Sequence, residues 1–134
     1  MQILLLEDVH NKTKIWLDQQ DELTVHKITD EKDLDFCKID AIITRGIGKI
    51  NNELINKCHN VKVVARCGVG LDNVDVDLCT QHGIQVVYAP GSNAQTTAEH
   101  TMTLMLNLQR NTYQALSEVK NGNWQSRNTH QSDE

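Results

Sequence analysis

Three short segments of the chain carry the groups that chemistry would need. They are Thr44-Arg45-Gly46, Arg66-Cys67-Gly68-Val69-Gly70 and Ala89-Pro90-Gly91-Ser92-Asn93. The first two each hold an arginine, whose planar guanidinium binds two oxygens of a carboxylate or phosphate at once. Glycines in the second and third let backbone N–H groups come close to a ligand. Each segment follows a strand-like apolar run, and in open α/β sheets ligands bind beyond the carboxyl ends of the strands. Together they predict a pocket for a small anionic acid. Each feature also has a plainer reading. An isolated Gly68-Val69-Gly70 also serves a bare tight turn, Arg45 alone is an ordinary solvated residue, and Ser92-Asn93 is a turn into a helix. His100, beside Glu99, reads as structural, and Glu7-Asp8 as an ordinary polar loop.

The elements that would position these loops follow from the apolar pattern. Strands are expected at Ile3 to Leu6, Leu23 to Ile28, Ala41 to Thr44, Val61 to Ala65 and Ile84 to Tyr88. Helical stretches fall between them, around Ile15 to Leu17, at Glu53 to Cys58 and at Asp72 to Gln81, the last with acidic residues in its first turn as the helix dipole prefers. Continuous rather than alternating apolar strands, bounded by helices, indicate a parallel sheet covered on both faces. The expectation is a flavodoxin-like, doubly wound α/β fold of about five strands. Beyond it, Thr96-Thr97-Ala98-Glu99 matches a capping box ahead of Met102, Leu104, Met105, Leu106 and Leu108, predicting one long helix over about 96 to 118. The chain thus divides into a ligand-binding domain over 1–95, an interdomain helix over 96–119 and a polar tail over 120–134, in which only Trp124 is expected to pack.

Composition narrows the function. The chain has 134 residues, 39% hydrophobic and 4% aromatic, so aliphatic side chains must build the core. A net charge of −5 and a pI near 5.6 argue against nucleic acid or an anionic membrane as partner. No run approaches the roughly 18 apolar residues of a membrane span. The start of the chain has no basic stretch before its apolar run, so it does not read as a signal peptide. Cys37, Cys58, Cys67 and Cys79 form no C-x-x-C pair and no zinc spacing, and each reads as a buried free thiol; no metal site is expected. The chain reads as cytoplasmic.

Several of these motifs recur in one order. Val63-Val64-Ala65-Arg66-Cys67-Gly68-Val69-Gly70-Leu71-Asp72-Asn73-Val74-Asp75 is followed by Gly83-Ile84-Gln85-Val86-Val87-Tyr88-Ala89-Pro90-Gly91-Ser92-Asn93 and then by Thr97-Ala98-Glu99-His100. This resembles the D-isomer-specific 2-hydroxyacid dehydrogenases, especially the D-3-phosphoglycerate branch, most clearly over residues 61–111. The resemblance implies roles. Gly68, Val69 and Gly70 would hold the substrate carboxylate through backbone N–H groups, and Arg45 would reach the substrate. Ser92 and Asn93 would form the turn beside it, and Thr97 would lie near the nicotinamide end of the cofactor. Tyr88 departs from the family's usual Asn, and Gly46 from a small hydroxyl residue.

NAD is implied by the family, but the chain contains no G-x-G-x-x-G segment, and the family's catalytic Arg, Glu and His lie beyond its last residue. No catalytic residue is therefore assigned. The expectation is the substrate-binding part of an NAD-dependent dehydrogenase, inactive alone, whose partners are a small 2-hydroxy or 2-oxo acid and a cofactor domain. An alternative is a non-catalytic domain that binds a hydroxy acid or self-associates through the 96–118 helix. A second is a receiver-like signalling module, suggested by Leu4-Leu5-Leu6-Glu7-Asp8. It lacks an aspartate at the end of the third strand, where Thr44 stands, and a lysine after the fifth.

Overall fold

The computed structural model describes residues 1–29 and 34–126. The chain forms two compact units, Met1–Ser92 and Asn93–Glu134. The first contains strands β1 (Gln2–Leu5), β2 (Thr24–Lys27), β3 (Ala41–Thr44), β4 (Val63–Arg66) and β5 (Gln85–Tyr88), with helices α1 (Asn11–Asp18), α2 (Asn52–Lys57) and α3 (Val76–Gln81). The second contains α4 (Ala94–Gln109) and α5 (Thr112–Lys120).

All five strands are parallel and lie in the order β2-β1-β3-β4-β5, the flavodoxin-like winding expected from the sequence. Successive residues of a strand face opposite sides of the sheet, so continuous apolar strands supply two cores. Leu4, Ile42 and Val64 pack on one side with Ile55 and Cys58 from the α2 segment and Cys79 from α3. Ile3, Leu5 and Ala41 pack on the other with Leu17 of α1. The register aligns Thr44 with Arg66, and Arg66 with Tyr88, across the carboxyl edge of the sheet.

Local chemistry sets the helix starts. The Asn51 side chain accepts from Leu54 N at 3.1 Å, and Asp75 accepts from Leu78 N at 2.9 Å. Asp75 rather than Asp72 therefore opens α3, which begins later than the acidic run implied. The expected helix over 96–118 is broken instead: α4 ends at Gln109, and α5 starts after Asn111, which is left-handed with φ 46°. Asparagine tolerates that conformation because its short polar side chain can bond locally. The capping box is not formed either. Asn93 precedes the helix, and Glu99, already inside it, accepts from the Gln95 side chain at 2.8 Å. Trp124, expected to pack, is largely exposed. Of the polar tail, residues 127–134 lie outside the described residues. No helix among the described residues is long and apolar enough to cross a membrane.

Candidate functional site

The strand order reverses between β1 and β3, and in such sheets the crevice at that switch point is where ligands usually bind. Here the backbone amides at its β3 side are taken by the protein's own carboxylate. Glu7, just past β1, accepts on Oε1 the backbone N–H groups of Arg45, Gly46, Ile47 and Gly48, each at 2.9 Å. Partial burial pushes the Glu7 carboxyl up from its ordinary 4.5, but the four backbone bonds outweigh that effect and bring it down to about 2. The reading of Glu7-Asp8 as an ordinary polar loop is corrected for Glu7. Its signal in the sequence was an acid directly after an apolar strand, with Gly46-Ile47-Gly48 elsewhere able to wrap an anion.

The same loop is held from the other side. The fully buried Thr44 hydroxyl lies 2.8 Å from Gly48 O and 3.1 Å from Glu7 Oε1, and its single proton goes to the nearer acceptor. Asn73 Nδ2 donates to Gly48 O at 2.6 Å and to Thr44 Oγ1 at 3.0 Å. Ile50 N donates to Asn73 O, and Asp75 N to Ile50 O. Gly48 must stay small, since a Cβ there would overlap Leu6 and come within 3.1 Å of Thr44 Oγ1. Thr44 and Asn73 were not singled out as functional from sequence. Asn73 lay inside the matched motif but was indistinguishable there from a surface polar residue.

Arg45, Gly68, Val69 and Gly70 come together at the adjoining ends of β3 and β4. Cys67 N donates to Thr44 O at 2.8 Å, tying the two loops, and Ala89 N donates to Gly68 O at 3.0 Å, tying the β5 loop to them. Arg45 is exposed, and its guanidinium has no hydrogen-bond or ion-pair partner among the described residues. The three backbone donors are not equivalent. Gly68 N is engaged with Arg66 O at 2.9 Å, whereas Val69 N and Gly70 N have no partner among the described residues.

Arg66, read from the sequence as one of two loop arginines suited to an anion but given no role by the resemblance, is the group around which this loop folds. Its guanidinium lies over Gly68, where a Cβ would fall on Nη1 and within 2.9 Å of Cζ; a Cβ on Gly70 or Gly46 would stand 3.9 or 4.0 Å from Nη2. Gly68 also has φ +156°, a conformation that favours glycine. Arg66 Nε is buried without a hydrogen-bond partner. Cys67 is exposed, as is Cys37; the expectation that all four thiols are buried holds only for Cys58 and Cys79. Burial raises the Cys67 thiol, with the Arg45 and Arg66 charges pulling the other way.

Ser92 closes the turn after β5, its N–H donating to Ala89 O at 3.3 Å. Asn93 and Thr97 belong to the second unit. Asn93 sits at the start of α4 with no side-chain cap bond, and Thr97 N donates to Asn93 O at 2.9 Å. A pyrophosphate cradle needs a glycine-rich turn opening straight onto a helix N-terminus. The glycines after β4 do not provide one: they precede α3 by several residues, and the space over Gly68 is taken by Arg66. The loop after β4 therefore does not form a dinucleotide cradle. At the end of β3, where the receiver-like alternative needs an aspartate, stands Thr44 with its hydroxyl on Gly48 O.

Comparisons with known proteins agree with this architecture. D-3-phosphoglycerate dehydrogenase of Archaeoglobus fulgidus is 46% identical over 88 residues, which is 66% of this chain and 17% of that protein. The solved 2-hydroxyacid dehydrogenase of Ketogulonicigenium vulgare superposes with a TM-score of 0.81 at 29% identity, over 93% of this chain and 41% of that one. An NAD-dependent formate dehydrogenase of Staphylococcus aureus, solved in complex with NAD, superposes with a TM-score of 0.75 at 28% identity, over 98% and 45%. The chain spans less than half the length of each. The family model for the catalytic domain of D-isomer specific 2-hydroxyacid dehydrogenases matches residues 3–132. Sheet order, paired βα loops and sequence thus converge, and the chain belongs to the D-isomer specific 2-hydroxyacid dehydrogenase family.

Proposed function

We propose that this chain supplies the substrate-binding part of an NAD-dependent D-2-hydroxyacid dehydrogenase, with D-3-phosphoglycerate as the substrate that best suits its charges. The observation that carries this reading is the pair of unpartnered backbone donors, Val69 N and Gly70 N, flanked by Arg45 and by Arg66 with its unsatisfied Nε. Two N–H groups suit the carboxylate common to 2-hydroxy and 2-oxo acids. Two guanidinium groups suit a second, more highly charged anionic group, for which a phosphate is the natural match. For Ser92, Asn93 and Thr97 the family resemblance alone proposes roles, the first two toward the substrate and the last toward the nicotinamide.

When bound, NAD supplies hydride acceptance in this family. These residues bind and orient the acid, and a base for the hydroxyl proton must come from elsewhere. By this reading the 134 residues alone bind the acid without turning it over. Titrating D-3-phosphoglycerate into the 15N-labelled chain tests the assignment. The Val69 and Gly70 amide resonances should shift, more weakly with D-lactate, and Arg66→Ala should erase the difference between the two acids. Equal affinity for both acids in the unsubstituted protein would overturn the phosphoglycerate preference.

A second reading is favoured by the second unit, in which α4 buries none of its residues and Leu108 is 80% exposed. Exposed apolar surface of this kind marks a contact with another protein surface, here proposed as a second copy or a cofactor domain. A monomer by light scattering at high concentration would count against self-association.

A further inference from the structure

We propose that Glu7 is a positioning residue for the substrate: its carboxylate shapes the loop after β3 and so determines where Arg45 stands. The inference rests on the reading above, in which Arg45 contacts the anionic acid. Four consecutive backbone N–H groups converge on one oxygen, all at 2.9 Å. Such a concave array of amides is an anion site, and without an anion its parallel N–H dipoles repel one another. The far end of the loop has independent anchors, because Gly48 O is held by Thr44 Oγ1 and Asn73 Nδ2. The near end has fewer. Among the described residues, the only hydrogen bond of Arg45 beyond the strand ladder is the one from its N–H to Glu7, and its side chain has no partner. Removing the carboxylate therefore frees the arginine end of the loop first.

The occupied array has a second consequence. A substrate anion meeting this edge of the sheet finds the switch-point amides already taken by Glu7, and finds the unpartnered donors one strand over, at Val69 and Gly70. Glu7 thus places Arg45 and also excludes the acid from the neighbouring amides, so that it binds in one place rather than two. This is positioning and specificity by a residue that touches no substrate.

A double-mutant cycle separates this role from a purely structural one. D-3-phosphoglycerate is titrated into the full chain and into Glu7→Gln, Arg45→Ala and the double variant, with thermal melts run alongside. Glutamine keeps the shape and one acceptor oxygen but loses the charge, so the fold should persist. Expected is a loss of affinity of roughly tenfold in each single variant, about 1.4 kcal/mol, and no further loss in the double variant. Glu7→Asp, one methylene short of the four amides, should fall between Glu7→Gln and the unsubstituted chain, and it carries the test if Glu7→Gln does not fold. If Arg45→Ala weakens binding while Glu7→Gln does not, or if the two losses add, the role of Glu7 is refuted and the substrate reading stands. If Arg45→Ala leaves binding unchanged, the substrate reading of Arg45 fails and takes the Glu7 proposal with it.

Discussion

Protonating or neutralising Glu7 should cost stability in a window set by its own titration. The carboxyl sits at about 2 in the folded chain against an ordinary 4.5. A depressed carboxyl contributes stability that is fully present above the unfolded value and is lost as pH falls through the folded one. The window therefore runs from just above pH 4.5 down to about pH 2. That separation corresponds to roughly 3 kcal/mol at 1.36 kcal/mol per pH unit. The carboxylate is only partly buried, so solvent screening reduces the expected contribution to about 1–2 kcal/mol. Urea unfolding of the full chain and of Glu7→Gln at pH 7, 5, 4, 3 and 2.5 reads this directly. At pH 7 and 5 the variant should be less stable by that amount, and the gap should close as pH falls. The other depressed carboxylates, Asp8 beside Lys14 and Asp35 beside Lys38, titrate in both proteins and cancel in the difference. Parallel stability curves, with a gap that does not change with pH, would refute the argument that the four amides hold a charged Glu7.

Three further outcomes follow from the same network. Gly68→Ala should drive the Arg66 guanidinium from its place and strain the backbone at φ +156°, costing about 1–3 kcal/mol in a thermal melt and weakening D-3-phosphoglycerate in calorimetry. Thr44→Val should cost about 0.5–1.5 kcal/mol in urea unfolding, because the buried hydroxyl's bonds to Gly48 O and Asn73 Nδ2 are lost while those two groups keep each other; a neutral result would mean the hydroxyl is not the link. A thiol reagent should modify Cys37 and Cys67 in the folded chain, whereas Cys58, raised to about 11 by burial, and the buried Cys79 should react only on unfolding. Four equally fast thiols would contradict the core described here.

Much of the molecule was legible before any coordinates. Ala41–Thr44 is a strand at the residues its β-branched and apolar run indicated, and the other strands fall within two residues of expectation. Hydrophobic continuity sufficed because a parallel sheet buries both faces, which few other arrangements require. The loops at the strand ends were legible from Arg and Gly at those ends. Errors came where a local signal had a close competitor. Thr96 and Glu99 have the spacing of a capping box, but the chain is already helical by Ala94, so Glu99 turns to Gln95 instead. The long helix looked continuous because apolar residues recur across Asn111, and a single left-handed residue interrupts it without disturbing that pattern.

The sequence by itself determined the fold class, the family and the two loops that present arginine and glycine, since each depends on residue type and on spacing along the chain. Tertiary structure decided what those residues do to one another. Glu7 lies 38 residues from Arg45, so no local pattern links them, yet parallel pairing of β1 with β3 sets the carboxylate under four amides. Arg66 over Gly68, and Val69 and Gly70 left with unpartnered N–H groups, are equally products of packing. Hydrogen bonds between distant loops depend on position to within a few tenths of an ångström, and only the assembled sheet supplies that precision.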